Sequence, residues 1–117
     1  KIEEYGLGVL LFNLSVIEPF GYFDFIKLVR ESYGVITDSG GIQEETTHLS
    51  VPCATLRDST ERPITVEAGS NKLFDIQSAS PEEILSHFDT SHPTQPIPLW
   101  DDKVSKRIFE SLHTFFK

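Results

Sequence analysis

Short apolar segments alternate with segments of helical spacing along this 117-residue chain. Four of the apolar segments have the length of strands, namely residues 9–14, 34–37, 51–56 and 72–76. The first is a continuous apolar run, which suits a strand covered on both faces. The alternation predicts one α/β domain, over residues 1–117, with a parallel sheet.

The helices are predicted from apolar spacing and from capping residues. One begins at Tyr22, where apolar side chains recur at the spacing of an amphipathic helix. These side chains are Tyr22, Phe25, Ile26, Val29 and Tyr33. Ser80-Pro81-Glu82-Glu83 is a capping box with proline at the first helical position, and it predicts a helix to about Phe88. Residues 60–69 are predicted to form a loop with a short helix.

The last part of the chain is predicted to be an extended crossing segment followed by a helix. Three prolines between residues 89 and 98 favour the extended segment, and no domain boundary is inferred there. Asp101 and Asp102 are predicted to cap a helix over about 101–117. Its apolar stripe consists of Val104, Ile108, Leu112 and Phe116. This stripe requires a surface to cover it.

The segment Ser39-Gly40-Gly41 follows a predicted strand and opens a predicted helix. Glycines permit a sharp turn, and free N–H groups at a helix N-terminus favour an anion such as a phosphate. Glu44 and Glu45 lie about one turn later, where a carboxylate can accept hydrogen bonds from a ribose diol. Gly-Gly alone is more often a simple turn before a capped helix, so the interpretation depends on the longer sequence.

The longer sequence resembles the non-hydrolysing UDP-N-acetylglucosamine 2-epimerases. The resemblance rests on Asp38-Ser39-Gly40-Gly41-Ile42-Gln43-Glu44-Glu45 and on Leu56-Arg57-Asp58-Ser59-Thr60-Glu61-Arg62-Pro63, and it extends from about Val16 to the last helix. It implies a Rossmann-like sheet flanked by helices, as in the C-terminal nucleotide-binding half of a GT-B-type enzyme. It also implies roles for seven residues: diphosphate binding by Ser39, Gly40 and Gly41, ribose binding by Glu45, uracil contacts by Phe20 and Phe25, and binding of the sugar-phosphate end by Arg62.

The same resemblance implies an isomerase that interconverts UDP-N-acetylglucosamine and UDP-N-acetylmannosamine by elimination and re-addition of UDP. Such enzymes use no metal or nicotinamide cofactor and are usually homodimers. Their acid and base groups come from an N-terminal domain and from a His-Arg-Arg-Glu-type segment, and this chain contains neither. We therefore expect a fragment without catalytic residues, inactive in isolation, whose partner is the missing N-terminal domain.

Composition and spacing argue against several kinds of partner and site. A formal net charge of −8, without a Lys/Arg cluster, argues against nucleic acid or an anionic membrane as a partner. Cys53 is predicted to be a small core residue, and the four histidines, at 48, 87, 92 and 113, lack metal-ligand spacing. The apolar run at residues 9–12 is too short to span a bilayer, and no secretory pattern precedes it, so we expect a cytoplasmic location.

Several alternatives remain open from the sequence. Glu61 and Glu67 can pair with Arg57 and Arg62, and Phe25 can be a core residue. Arg57 is expected to support its loop rather than contact a ligand. The chain can also be a stand-alone UDP-sugar-binding or regulatory module, a glycosyltransferase-like donor domain, or a remnant that binds nothing.

Overall fold

A computed structural model describes residues 2–90 and 96–116. After a 3₁₀ helix at Leu7–Leu11, the elements in chain order are α1 (Tyr22–Glu31), β1 (Val35–Thr37), α2 (Gly40–Leu49), β2 (Cys53–Thr55), α3 (Pro63–Glu67), β3 (Asn71–Leu73), α4 (Pro81–Asp89) and α5 (Val104–Phe115). Of the expected extended segment at 89–98, residues 91–95 lie outside the described part, and His92 with them.

The three strands form one parallel sheet in the order β1, β2, β3. Val35 pairs with Cys53, which pairs with Asn71, so the strands begin and end in register. α2 connects the first two strands and α3 connects the second pair, which is the crossover that parallel strands require. The predicted α/β fold with a parallel sheet is confirmed.

The two faces of the sheet carry different chemistry, because successive side chains of a strand point to opposite faces. Ala54 packs with Phe74 and with Phe88 of α4 in an apolar cluster. On the other face, Thr55 donates a hydrogen bond of 2.7 Å to Asn71 beneath α2. One side of the sheet is therefore packed by hydrocarbon and the other by hydrogen-bonded polar side chains.

Cys53 is fully buried in β2, as the sequence predicts. Burial raises the pKa of its thiol, and nearby threonine hydroxyls only partly offset that effect. A thiol held neutral in this way is a small core side chain.

The predicted strand at residues 9–14 is wrong. The chain forms a 3₁₀ helix at Leu7–Leu11, and Val9 and Phe12 are 82% and 91% exposed. A strand needs a neighbour for its backbone N–H and C=O groups, and no strand within residues 2–90 and 96–116 pairs with this segment. Its backbone instead closes local bonds such as Leu14 N–H to the Leu11 carbonyl. The apolar run gave the hydrophobicity of a strand but not its pairing.

The capping prediction holds for α4 and fails for α5. Ser80 and Glu83 exchange both bonds of the capping box at the start of α4. Lys103 takes the cap position of α5 without a side-chain bond, and Asp101 instead accepts the Lys103 N–H and pairs with Arg107. The helix thus begins two residues after the aspartates.

The apolar stripe of α5 is exposed, as expected for a helix that lacks a covering surface. Ile108 and Leu112 are 55% and 51% exposed, and Phe116 is 79% exposed. Within the described residues, no helix has the length and apolar character needed to cross a membrane.

Candidate functional site

The N-terminus of α2 lies at the carboxyl edge of the sheet, directly after β1. Ser39 is the N-cap residue in an extended conformation, and its backbone N–H donates to the Thr37 hydroxyl at 3.0 Å. In this part of the structure the Ser39 side chain makes no capping bond to the helix. A ten-residue helix therefore presents its first N–H groups without a side-chain cap.

Gly40 and Gly41 form the first turn of α2, and neither has a positive φ. The turn into the helix forms as predicted, but its backbone is accessible to any L-residue, so a positive φ is not the reason for glycine here. A Cβ on Gly41 would have no neighbour within 4 Å, and one on Gly40 would approach only the Glu61 carboxylate, at 3.9 Å. The protein itself gives no steric reason for either glycine. The absent side chains leave the helix end accessible to a ligand.

The loop between β2 and α3 brings two arginines to the same edge of the sheet. Arg57 pairs with Glu61 at 3.5 Å, and Arg62 Nε lies 3.0 Å from Glu44 Oε1 of α2. The Arg62 Nε–H does not point at that oxygen well enough for a hydrogen bond, so the contact is an ion pair without an aligned donor. The pairing that the sequence left open is found for Arg57 with Glu61, whereas Arg62 pairs with Glu44 rather than with Glu61 or Glu67.

Glu45 is half-buried on α2 and lines an open cavity of about 820 Å³. Tyr22 and Ile26 of α1 form one wall, and Leu99 and Trp100 form another. The exposed wall is mainly apolar, but the carboxylates of Glu44, Asp101 and Asp102 also line the cavity. Carboxylates around an apolar wall suit a ligand that carries hydroxyls on a weakly polar body.

The two aromatic residues predicted to contact a base do not line this cavity. Phe20 is half-exposed just before α1, and Phe25 is half-buried within α1. Arg62 pairs with Glu44 of α2, the helix that begins directly after Ser39, and Glu45 lines the adjacent cavity.

A buried amide that the sequence prediction missed connects α2 with the loop that precedes α3 and with β3. Gln43 of α2 is fully buried, and its Oε1 accepts hydrogen bonds from Thr60 Oγ1 at 2.6 Å and from Asn71 Nδ2 at 3.1 Å. Asn71 Nδ2 also donates to Thr65 Oγ1 at 3.1 Å. We call the set Gln43, Thr55, Thr60, Thr65 and Asn71 the Gln43 network.

The sequence of α2 does contain a pattern that indicates this network: polar residues occupy positions where apolar residues are usual. Gln43, Thr46 and Thr47 occupy the inward face of α2, at a spacing where an amphipathic helix has apolar residues. Polar residues on that face predict a hydrogen-bonded interior, because a buried polar group without partners is costly. Gln43 Oε1 and Thr46 Oγ1 are bonded, whereas Gln43 Nε2 and Thr47 Oγ1 have no hydrogen-bond partner among the described residues.

His87 contributes to packing, whereas His48 and His113 are exposed. His87 Nε2 lies 3.0 Å from the Cys53 carbonyl and 3.2 Å from the Ser70 carbonyl, and its ring is near those of Phe74 and Phe88. Within residues 2–90 and 96–116, no group of three His, Cys, Asp or Glu side chains is placed to hold a metal ion.

The sequence model of a family described as UDP-N-acetylglucosamine 2-epimerase matches residues 1–113. The chain belongs to this family. It is similar to a probable UDP-N-acetylglucosamine 2-epimerase of Ralstonia solanacearum, at 48% identity over 113 residues, which cover 89% of this chain and 29% of the relative. It is also similar to a Methanococcus maripaludis epimerase, at 46% identity over 89 residues, which cover 74% of this chain and 24% of the relative.

Solved structures of the epimerase family share the fold. The Methanocaldococcus jannaschii UDP-GlcNAc 2-epimerase superposes with a TM-score of 0.76 at 35% identity, covering 97% of this chain and 32% of the enzyme. A structure of the same enzyme in complex with UDP-GlcNAc and UDP gives a TM-score of 0.72, with the same identity and coverage. The chain therefore spans about a third or less of the length of the relatives it matches.

Proposed function

We propose that this chain binds UDP and forms the nucleotide-binding part of a UDP-N-acetylglucosamine 2-epimerase. The observation that carries the proposal is the N-terminus of α2, where two glycines without a steric or conformational role leave uncapped N–H groups accessible. Support comes from the family and from the similar enzyme whose structure holds UDP-GlcNAc and UDP.

In the proposed complex the diphosphate lies over residues 39–41. Backbone N–H groups of Gly40 and Gly41 donate to its oxygens, and the Ser39 hydroxyl adds a donor. Arg62 leaves Glu44 and turns to the diphosphate at the sugar end, because a doubly charged ligand is a stronger partner than one half-exposed carboxylate.

The nucleoside is proposed to extend from the diphosphate toward Glu45. The Glu45 carboxylate accepts hydrogen bonds from the ribose hydroxyls at the edge of the 820 Å³ cavity. The uracil is proposed to contact the Phe20 backbone and the Phe25 ring. Since both aromatics lie outside the cavity wall in this structure, this part of the proposal requires α1 or the segment before it to adjust on binding.

The proposed reaction interconverts UDP-GlcNAc and UDP-ManNAc by elimination and re-addition of UDP. As the bond to the sugar breaks, negative charge grows on the departing diphosphate, and fixed N–H donors with Arg62 stabilise it there. We propose that an N-terminal domain supplies the acid and base groups, that this chain alone is inactive, and that the complete enzyme is a homodimer. A cytoplasmic location stays a prediction.

Isothermal titration calorimetry of the 117-residue chain with UDP tests the binding. We expect one site, and we expect Gly41→Asp to abolish it because a carboxylate then takes the place of the diphosphate. Gly8→Asp is the matched control, since Gly8 is an exposed glycine with nothing within 4 Å of its Cβ position. Loss of binding in Gly41→Asp but not in Gly8→Asp supports the proposed site.

The other outcomes separate the alternatives. If UDP at millimolar concentration causes no heat and no shift in thermal stability, the proposal is wrong and the chain is a remnant that binds nothing. If the chain binds UDP but a polypeptide with an added epimerase N-terminal domain does not convert UDP-GlcNAc, a stand-alone binding module is favoured.

A further inference from the structure

The Gln43 network fixes the backbone of Arg62 from both sides. Arg62 N–H donates to Thr60 Oγ1 at 3.0 Å, and the Arg62 carbonyl accepts from Thr65 N–H at 3.0 Å and from Thr65 Oγ1 at 2.7 Å. Both threonines are held in turn by buried amides, Thr60 by Gln43 and Thr65 by Asn71. The position of Arg62 is therefore set from the protein interior.

The Thr65 hydroxyl sets the orientation of the amides in the network. It donates to the Arg62 carbonyl, so Asn71 faces it with the Nδ2 donor. Thr60 Oγ1 accepts from the Arg62 N–H and donates to Gln43 Oε1. Asn71 Nδ2 donates to that same oxygen, so two donors converge on it and only an acceptor fits there. Reversing Gln43 would place its NH₂ group against the Asn71 Nδ2 donor, although Gln43 Nε2 has no hydrogen-bond partner among the described residues in the present orientation.

Gln43 also belongs to the helix whose N-terminus is the proposed diphosphate site. It is the fourth residue of α2, one turn from Gly40, and it is 0% exposed. One buried carboxamide thus links the start of α2, which follows β1, to the loop that carries Arg62, which follows β2. These are the two proposed anion-binding parts of the site.

We propose that Gln43 and Thr60 are positioning residues for nucleotide binding, which act through Arg62 without touching the ligand. The inference rests on the proposed function, because it assigns Arg62 to the diphosphate. Loss of the Thr60 hydroxyl frees the Arg62 backbone, so the residue that carries the guanidinium is no longer held in place beside α2. Binding energy is lost because the loop must be ordered when the ligand binds.

A double-mutant cycle for UDP affinity tests this route. The variants of the 117-residue chain are Thr60→Val, Thr60→Ser, Arg62→Gln and the double variant Thr60→Val/Arg62→Gln. Thr60→Val keeps the shape of the side chain and removes both hydrogen bonds, and we expect it to weaken UDP binding about tenfold. Thr60→Ser keeps the hydroxyl and should restore affinity to within about twofold.

The decisive measurement is the change in UDP affinity that Thr60→Val causes in a protein that already carries Arg62→Gln. We expect less than about a twofold further loss in the double variant, because the hydroxyl acts through the guanidinium. A full further loss there would overturn the proposal, since the threonine would then support the fold in general. So would wild-type affinity in Thr60→Val. Thermal midpoints without ligand show whether each variant folds, and Gln43→Met replaces Thr60→Val in the cycle if the latter loses cooperative unfolding.

Failure of the two proposals is distinguishable. If the wild-type chain does not bind UDP, the proposed function and this inference both fall. If the wild-type chain binds UDP and Thr60→Val binds it equally well, only the positioning role is wrong.

Discussion

The Nε atom of Arg62 lies 3.0 Å from a carboxylate oxygen of Glu44. Glu44 is in the first half of α2, so this pair places the arginine beside the helix end that we propose as the diphosphate site. Both side chains are about four-tenths exposed, which makes the pair weak and exchangeable. If Arg62 binds the diphosphate as proposed, we expect Glu44 to compete with that ligand for the guanidinium.

Glu44→Gln should strengthen UDP binding. The substitution removes the competing carboxylate and one negative charge near the phosphates, and an exposed pair of this kind corresponds to roughly a two- to fivefold gain in affinity. Calorimetry at low salt measures the dissociation constant directly. The gain should shrink at about 0.5 M salt, where charges are screened.

Glu67→Gln is the matched control for this experiment. It also removes one exposed carboxylate, but Glu67 makes no ion pair within the described residues. Equal gains in both variants would mean that net charge alone is responsible. Weaker UDP binding in Glu44→Gln would contradict competition and would show that Glu44 holds Arg62 in the binding orientation.

Gly41→Ala should change stability and affinity in opposite directions. Alanine is the better helix residue, and its Cβ at this position meets nothing within 4 Å, so the free energy of unfolding should rise by about 0.5 kcal/mol. The same methyl group lies over the helix end and should weaken UDP binding. Denaturant unfolding and calorimetry on one protein sample measure both effects. A variant that binds UDP as tightly as the wild type would show that the diphosphate does not approach Gly41.

Much of the fold was predictable because its signals are local. The amphipathic spacing of α1 and the capping box of α4 depend on residues within one element, and the structure confirms both. The strand prediction for residues 9–14 was wrong because an apolar run does not specify its pairing partner. The prediction that the aspartates cap α5 was wrong. The Asp101 carboxylate instead accepts hydrogen bonds from Arg107, six residues away.

The candidate site was predictable only where the sequence states it directly. Residues 39–41 follow β1 and Arg62 follows β2, so both lie on the side of the carboxyl ends of the parallel strands. Gln43, Thr60 and Asn71 were missed because their contacts join residues 17 and 28 positions apart in the chain. Polar residue types are usually assigned to the surface, and only the three-dimensional packing shows that these are buried.

Gly69→Ala should destabilise the fold, in contrast to Gly41→Ala. A Cβ on Gly69 would lie 2.3 Å from the Thr65 carbonyl oxygen and 2.8 Å from the Thr47 side chain. Because the Thr65 backbone would have to move to make room for this Cβ, we expect the free energy of unfolding to fall by roughly 2–3 kcal/mol. Denaturant unfolding measures it, with Gly8→Ala as the control because that Cβ has no neighbour within 4 Å. A loss as small as that of the control would mean that α2 and the end of α3 are less closely packed than this structure shows.

The carboxylate of Asp101 should make the start of α5 sensitive to acid. It accepts the Lys103 N–H at 2.9 Å and pairs with Arg107 at 2.8 Å, and these two interactions hold the pKa of Asp101 below its usual value of 3.8. A lowered folded-state pKa means that the stabilisation is present above the unfolded pKa and is lost as the pH falls through the folded one. Asp101→Asn should therefore lower the thermal midpoint at neutral pH.

The difference between wild type and Asp101→Asn should stay constant from about pH 7 to pH 5 and shrink below about pH 4. Thermal unfolding followed by helical ellipticity measures it at each pH. Asp102→Asn is the control, because that carboxylate makes no hydrogen bond or ion pair in the described structure and its removal changes the net charge equally. A difference that persists unchanged to about pH 2 would contradict the assignment, since a protonated Asp101 can no longer pair with Arg107.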